Sequence, residues 1–164
     1  MLRRRVTKFM TLSLRDRILF LKIWVLLCCV ALLLRLLDYQ RTCRLLERLS
    51  PSRADHDGAT EDGMAYALRL GRLTRIAGRY VPTNGTCLRQ ALLVWWLLRR
   101  KGLPAEMHIG VRKRPAFVAH AWVELDGLPV NDHADVGKRH KPLAGLPHRA
   151  GVDSDPQRQD PAPT

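Results

Sequence analysis

A chain of 164 residues with 46% hydrophobic content is long enough for one modest core and too short for two comfortable domains. Its formal charge of +13, with 11 basic against 3 acidic side chains in residues 1–50, favours an acidic peptide, nucleic acid or anionic lipid as partner. The four cysteines, Cys28, Cys29, Cys43 and Cys87, form no CxxC pair or His/Cys ladder, which argues against a disulfide framework or zinc site and for a reducing cytosol.

The opening MLRRRVTK is followed by an apolar stretch with no small-residue cleavage site, so secretion by a signal peptide is not expected. The uninterrupted apolar run Ile23 to Leu34 is 12 residues between Lys22 and Arg35, whereas spanning a bilayer needs about 20. A buried or interfacial helix is the expectation, with membrane insertion the lesser alternative. Whether residues 18–37 meet membrane, core or partner stays open.

From about Leu12 to Leu49 there is no Gly or Pro, which predicts one long helix or two in series. Its second half is amphipathic, with Arg41, Arg44 and Arg48 beside Leu45, Leu46 and Leu49. Residues 50–63 read as an exposed connection. A helix is expected over Glu61 to Tyr80 with Met64, Leu68 and Ile76 as apolar members. After the breaker-rich VPTNGTC comes CLRQALLVWWLLRRKG, a helix with Thr86 as its cap and Gly102 just past its end. Three strands follow, AEMHIGVR, FVAHAWVEL and LPVND, the last two joined by a turn at Asp126 and Gly127. From about His140 onward the composition is that of a disordered tail.

Cys87 falls where a loop meets a helix N-terminus, whose free N–H groups stabilise a thiolate. The bland reading is a small buried hydrophobe. His120, mid-strand among residues that favour burial, supplies an imidazole that a thiol nucleophile needs as its base; the bland reading there is a satisfied core histidine. A third group must orient the imidazole, and Asn131 and Asp132 are both candidates. Strand register separates them. A three-residue Leu125-Asp126-Gly127 loop sets Asp132 opposite His120, whereas a two-residue Asp126-Gly127 loop puts Asn131 on the His120 face. Asp132 is preferred, because a carboxylate stabilises imidazolium better than an amide does. Asn84 and Gly85 are candidate oxyanion donors beside the Cys87 N–H. Trp95, Trp96 and Trp122 read as core. His108 is a rival base without an acidic residue following it, and the spacing of His133, His140 and His148 suits no metal site.

The run from Thr86 to Asp132 resembles the leader peptidases of lasso-peptide biosynthesis, within the transglutaminase-like cysteine protease superfamily. The shared features are Cys-Leu opening a leucine-rich helix, Arg-Arg-Lys-Gly ending it, then Gly-Val-Arg, His-Ala-Trp-Val-Glu and Asn-Asp. The resemblance implies an α+β fold, in which a helical N-terminal region, residues 1–60, precedes a transglutaminase-like or papain-like core at 61–140 and a tail at 141–164. In that core an active-site helix packs on a small antiparallel sheet. It also implies a cysteine endopeptidase with Cys87 as nucleophile, His120 as general base and Asp132 as orienting acid, using no metal or cofactor. The implied substrate is a ribosomally made lasso precursor, cut to free the core α-amine for a separate ATP-dependent cyclase. A separate leader-recognition protein is expected, and a cytoplasmic location, with contact to a membrane surface through the N-terminal helix as a further option. Two alternatives stand beside this: an acyl transferase or amidase using the same three residues, and a non-catalytic basic adaptor on a membrane surface. Nucleic acid is not expected as a partner, since the arginines are scattered through apolar helices.

Overall fold

Leucine-rich sequence without Gly or Pro carries helix α1 over Leu14–Leu36, and the chain then resets into α2, Tyr39–Arg48, rather than continuing as one rod. The reset has a local cause: Asp38 leaves the helical region and its carboxylate accepts from the Arg41 N–H at 2.7 Å, the capping interaction that starts a new helix. The computed structural model describes residues 14–50, 60–81, 86–112 and 117–142. Most of the exposed connection expected at 50–63, the tail beyond Pro142, and Asn84 and Gly85 lie outside those residues, as does the Thr86 side chain.

Helix α3, Glu61–Gly78, opens on Thr60, whose hydroxyl accepts from the Gly63 N–H at 3.2 Å. Its buried face is Ala67, Leu70, Leu73 and Ala77, while Leu68 is exposed. Of the apolar members expected from the sequence, Met64 packs against the core and Leu68 faces outward, while the small residues Ala67, Gly71 and Ala77 fill the buried face. Helix α4, Thr86–Arg100, ends at Gly102, whose φ of 78° suits it to a left-handed cap. There the Gly102 N–H donates to Arg99 O at 2.9 Å and the Leu103 N–H to Leu98 O at 3.1 Å.

Strands β1, Ala105–Arg112, and β2, Val118–Leu125, pair antiparallel over their whole length, with Gly110 opposite His120. Strand β3, Leu128–Pro129, joins the far edge of β2. After the one-turn helix α5, Val136–Arg139, strand β4, Lys141–Pro142, adds to the free edge of β1, giving the order β3-β2-β1-β4. Ordered structure thus continues through two residues that composition had assigned to the tail.

The core is one cluster. Ile23, Leu27 and Val30 of α1, Cys43 and Leu46 of α2, Leu70 and Leu73 of α3, and Leu92, Leu93 and Trp95 of α4 meet Met107, Ala121, Val123 and Leu125 of the sheet. Alternation along β1 and β2 sends Glu106, His108, His120, Trp122 and Glu124 to the opposite face. Helix α1 runs past Lys22 and Arg35, so by length and composition it could cross a membrane, but its inner face is built into this core. Its N-terminal turn is also tied to α3, where Arg69 Nε donates to Asp16 Oδ1 at 2.7 Å.

Leu27→Ala is expected to destabilise the fold by about 2–5 kcal/mol, the range for truncating a closely packed core leucine. Leu32→Ala, at a position 56% exposed on the same helix, should change stability by less than about 0.5 kcal/mol. Urea unfolding of both variants measures the contrast; equal effects would contradict the docking of α1 described above.

Candidate active site

Cys87 stands in the first turn of α4, half-buried, where the helix N-terminus points unsatisfied N–H groups outward. Its thiol is hydrogen-bonded to the His120 imidazole and to the backbone N–H groups of Leu88 and Ala121. These contacts, His120 first, hold the thiol below its ordinary pKa although burial pushes the other way. Cys43 shows the opposite balance: desolvation, with Glu47 adding to it, pushes its thiol up to about 11 despite a hydrogen bond with Tyr39.

His120 sits between two partners. Its Nε2 is hydrogen-bonded to Asp132 Oδ2, and the same ring contacts the Cys87 thiol. The contact with Cys87, aided by Asp132, raises the imidazole pKa against the opposing effect of burial. Asp132 experiences a burial penalty that its hydrogen bond from His120 and a 2.7 Å bond from the His133 N–H outweigh, so its carboxyl titrates below the usual range. Arg139 reaches the same carboxylate at 4.0 Å while pairing with Asp135 at 3.0 Å.

The β2–β3 turn is the two-residue loop, since Leu125 pairs with Leu128 and Asp126 and Gly127 have φ of 50° and 75°. That register was expected to bring Asn131, not Asp132, to His120. The premise that fails is strand continuity: β3 stops at Pro129 and the chain bends through residues 130–132. The Val130 N–H still donates to Val123 O at 2.9 Å, but the returning Val123 N–H is accepted by the Asn131 side chain at 2.8 Å in place of a backbone carbonyl. Asn131 thus ends the ladder, and the bend it stabilises delivers Asp132 to the imidazole.

That bend rests on α3. A Cβ at Gly71 would lie 1.9 Å from Val130 O and 2.9 Å from Asn131 Cα, so only a hydrogen fits there. Gly71 gave no sign of this role in the sequence.

Trp95 and Trp96 are buried in α4, with the Arg99 and Arg100 guanidinium groups over their respective rings at 5.5 and 5.2 Å. Trp122 is buried on the other sheet face, stacked on His120 with ring centroids 6.4 Å apart and held by Nε1–H donation to Glu124 Oε1 at 2.7 Å. His140, read from sequence only as part of an unsuited metal tract, lies 4.9 Å from the His120 ring. His108 is beside acids after all, with its Nε2 3.4 Å from Glu124 and 3.7 Å from Glu106. The strand pairing supplies them, one two residues before it and one across the hairpin, so residues following it in sequence were the wrong place to look.

A thiol lowered and an imidazole raised by their mutual contact are shifted toward the thiolate–imidazolium form, which can attack an electrophilic carbon and pass a proton to a leaving group. Two outcomes follow. At pH 7 iodoacetamide should alkylate Cys87 well ahead of Cys43, read by peptide mass spectrometry, and His120→Ala should move the Cys87 rate profile to higher pH. Gly71→Ala, ordinarily a helix-stabilising change, should instead cost about 1–3 kcal/mol, measured by thermal unfolding, because the 130–132 backbone must shift.

The family model for the transglutaminase-like superfamily matches residues 25–145, which takes in α1 from its middle, α2 and every later element. No curated protein and no solved structure matches the chain. With most of its length matched and an α4-on-sheet core carrying cysteine and histidine in contact, the chain belongs to the transglutaminase-like superfamily.

Proposed function

We propose that this protein is a cysteine endopeptidase that removes the leader from a lasso-peptide precursor, with Cys87, His120 and Asp132 as nucleophile, general base and orienting acid. The observation that carries the reading is the imidazole of His120 bonded on one side to the Cys87 thiol and on the other to the Asp132 carboxylate. The resemblance of Thr86 to Asp132 to the leader peptidases supplies the substrate class.

In the proposed reaction the Cys87 Sγ adds to the scissile carbonyl carbon while the imidazole holds the thiol proton as imidazolium. The tetrahedral intermediate collapses by breaking the C–N bond, and His120 delivers that proton to the departing amine, which is the α-amine of the core peptide. The leader then remains as a thioester on Cys87. His120, neutral again, takes a proton from water, whose oxygen attacks the thioester carbon; expulsion of the sulfur releases the leader acid and restores the pair. In this reading the Cys87 backbone N–H, at the helix start, serves as one donor to the developing oxyanion. The freed amine is the nucleophile a separate ATP-dependent cyclase requires for macrolactam closure. Leader recognition falls to a separate protein, in keeping with α1, α2 and α3 being parts of the enzyme's own core.

Incubating the chain with precursor and recognition protein should yield leader and core peptides by mass spectrometry. Cys87→Ala should lower the rate by at least about 10³-fold, as expected for loss of a covalent nucleophile. Undiminished cleavage by that variant would sink the proposal, and transfer to an added primary amine in place of water would turn it into an acyl transferase.

The pH dependence follows from the shifts. The alkaline limb of kcat/KM should lie above 6.5, the ordinary histidine value, because His120 is raised. The acid limb should lie below 9.0, the ordinary thiol value, because Cys87 is lowered. The two limbs belong to the coupled pair. Asp132→Asn removes a group that stabilises imidazolium, so the alkaline limb should move to lower pH and the bell should narrow. An unmoved alkaline limb would contradict the role given to Asp132.

A further inference from the structure

Helix α1 is apolar all round, yet only one side of it is covered. Ile23, Leu27 and Val30 are buried, whereas Leu14, Ile18, Leu21, Val25, Leu32 and Leu36 are 47–71% exposed. The exposed set recurs at steps of four, three, four, seven and four, and exposed Cys29 fills the longest step. At about 100° and 1.5 Å per residue this is one continuous stripe about 33 Å long on the side away from the core. A contiguous apolar face of that length on a protein surface marks a docking site.

Charge identifies the occupant. Lys22 borders the stripe on one side and Arg17 and Arg35 border it on the other, Lys22 and Arg35 being exposed. The acid in this helix, Asp16, is turned to Arg69. Beyond the stripe in the chain, α2 presents a surface cleft lined by Arg41, Arg44, Leu45 and Arg48. Residues 1–50 carry 11 basic and 3 acidic side chains. A second copy would set two chains of formal charge +13 against each other. An anionic bilayer instead offers hydrocarbon to the stripe and phosphates to its cationic borders, whose long side chains can reach outward to the headgroups.

We propose that α1 docks the folded protein on an anionic membrane surface, lying in the plane of the bilayer with its outer stripe in the interface and its inner face still packed on α3 and α4. Crossing the bilayer would strip Ile23, Leu27 and Val30 from the core, so the same helix that passes for a span by composition is held to one leaflet. The proposal stands apart from the peptidase assignment, since it needs no active-site residue.

The full chain, synthesised in vitro in the presence of vesicles, is tested by sucrose flotation. It should float with vesicles of phosphatidylcholine and phosphatidylglycerol and remain below with phosphatidylcholine alone. The triple substitution Leu21→Gln, Val25→Gln, Leu32→Gln, at exposed positions, should reduce flotation at least tenfold while leaving circular dichroism and the unfolding temperature unchanged. Lys22→Glu with Arg35→Glu should weaken binding to the anionic vesicles, and alkaline carbonate should release the bound chain. Failure to float with anionic vesicles, undiminished flotation of the triple variant, or resistance to carbonate would each overturn the in-plane assignment. So would a dimer by light scattering that the triple substitution dissolves, which would give the stripe to a second copy.

Discussion

The structure turns on one imidazole held from both sides. His120 meets a sulfur on one side and, through Nε2, a carboxylate on the other, and the three groups come from a helix start, a central strand and a bend after the neighbouring strand. Each contact sets the charge state of the next. The carboxylate favours imidazolium, imidazolium favours thiolate, and helix-start and strand N–H groups receive the sulfur's negative charge. Because the groups are coupled, whatever moves Asp132 also moves the reactivity of Cys87, and the support of the 130–132 bend belongs to the chemistry as much as to the fold.

That support shows where sequence reading reached its limit. Strand β2 and the Cys87 helix were legible because they carry strong local signals: alternation running into an Asp-Gly turn, and a continuous amphipathic run closed by Gly102. Asp132 was preferred over Asn131 for the charge it offers an imidazolium, while the register that would have set it opposite His120 is not the one present. The two-residue turn is present, and Asp132 meets His120 because Asn131 replaces a ladder carbonyl and ends the strand. Side-chain capping of a ladder is a tertiary event with no short-range signature. Gly71 is hidden in the same way, since its meaning lies in the backbone of residue 130, which packs against it from 59 positions later in the chain. The break between α1 and α2 was within reach: Asp38 is a good N-cap, but an uninterrupted leucine-rich run masks a cap that lacks Gly or Pro beside it.

The sheet divides labour between its faces. One face completes the hydrocarbon core with Met107, Ala121 and Val123, while the other carries a row of His108, Trp122, His120 and His140 rings. Trp122 covers Gly110 so closely that a Cβ there would lie 2.9 Å from the indole. The ring is therefore fixed by Gly110 beneath it and Glu124 at its nitrogen, and a fixed plane beside His120 restricts how the imidazole can tilt. Aromatic residues that composition assigns to the core here do both jobs, excluding water and setting an angle.

Helix α1 explains why an apolar segment need not mean one fate. Its hydrophobicity exceeds what its packing uses: Ile23, Leu27 and Val30 are enclosed, Leu19, Phe20, Trp24, Leu26 and Leu34 pack partly buried beside them, and a further apolar stripe faces outward between cationic borders. A segment selected only for burial would place polar residues on that outer side, as α2 does with its arginines. A segment selected only for spanning would carry no ion pair such as Asp16 to Arg69 and no residues locked beneath neighbouring helices. Apolar surface on both sides, with the exposed cations Lys22 and Arg35 at the borders of the outer one, is what a helix needs if it is to be held by a protein core on one face and by a bilayer surface on the other.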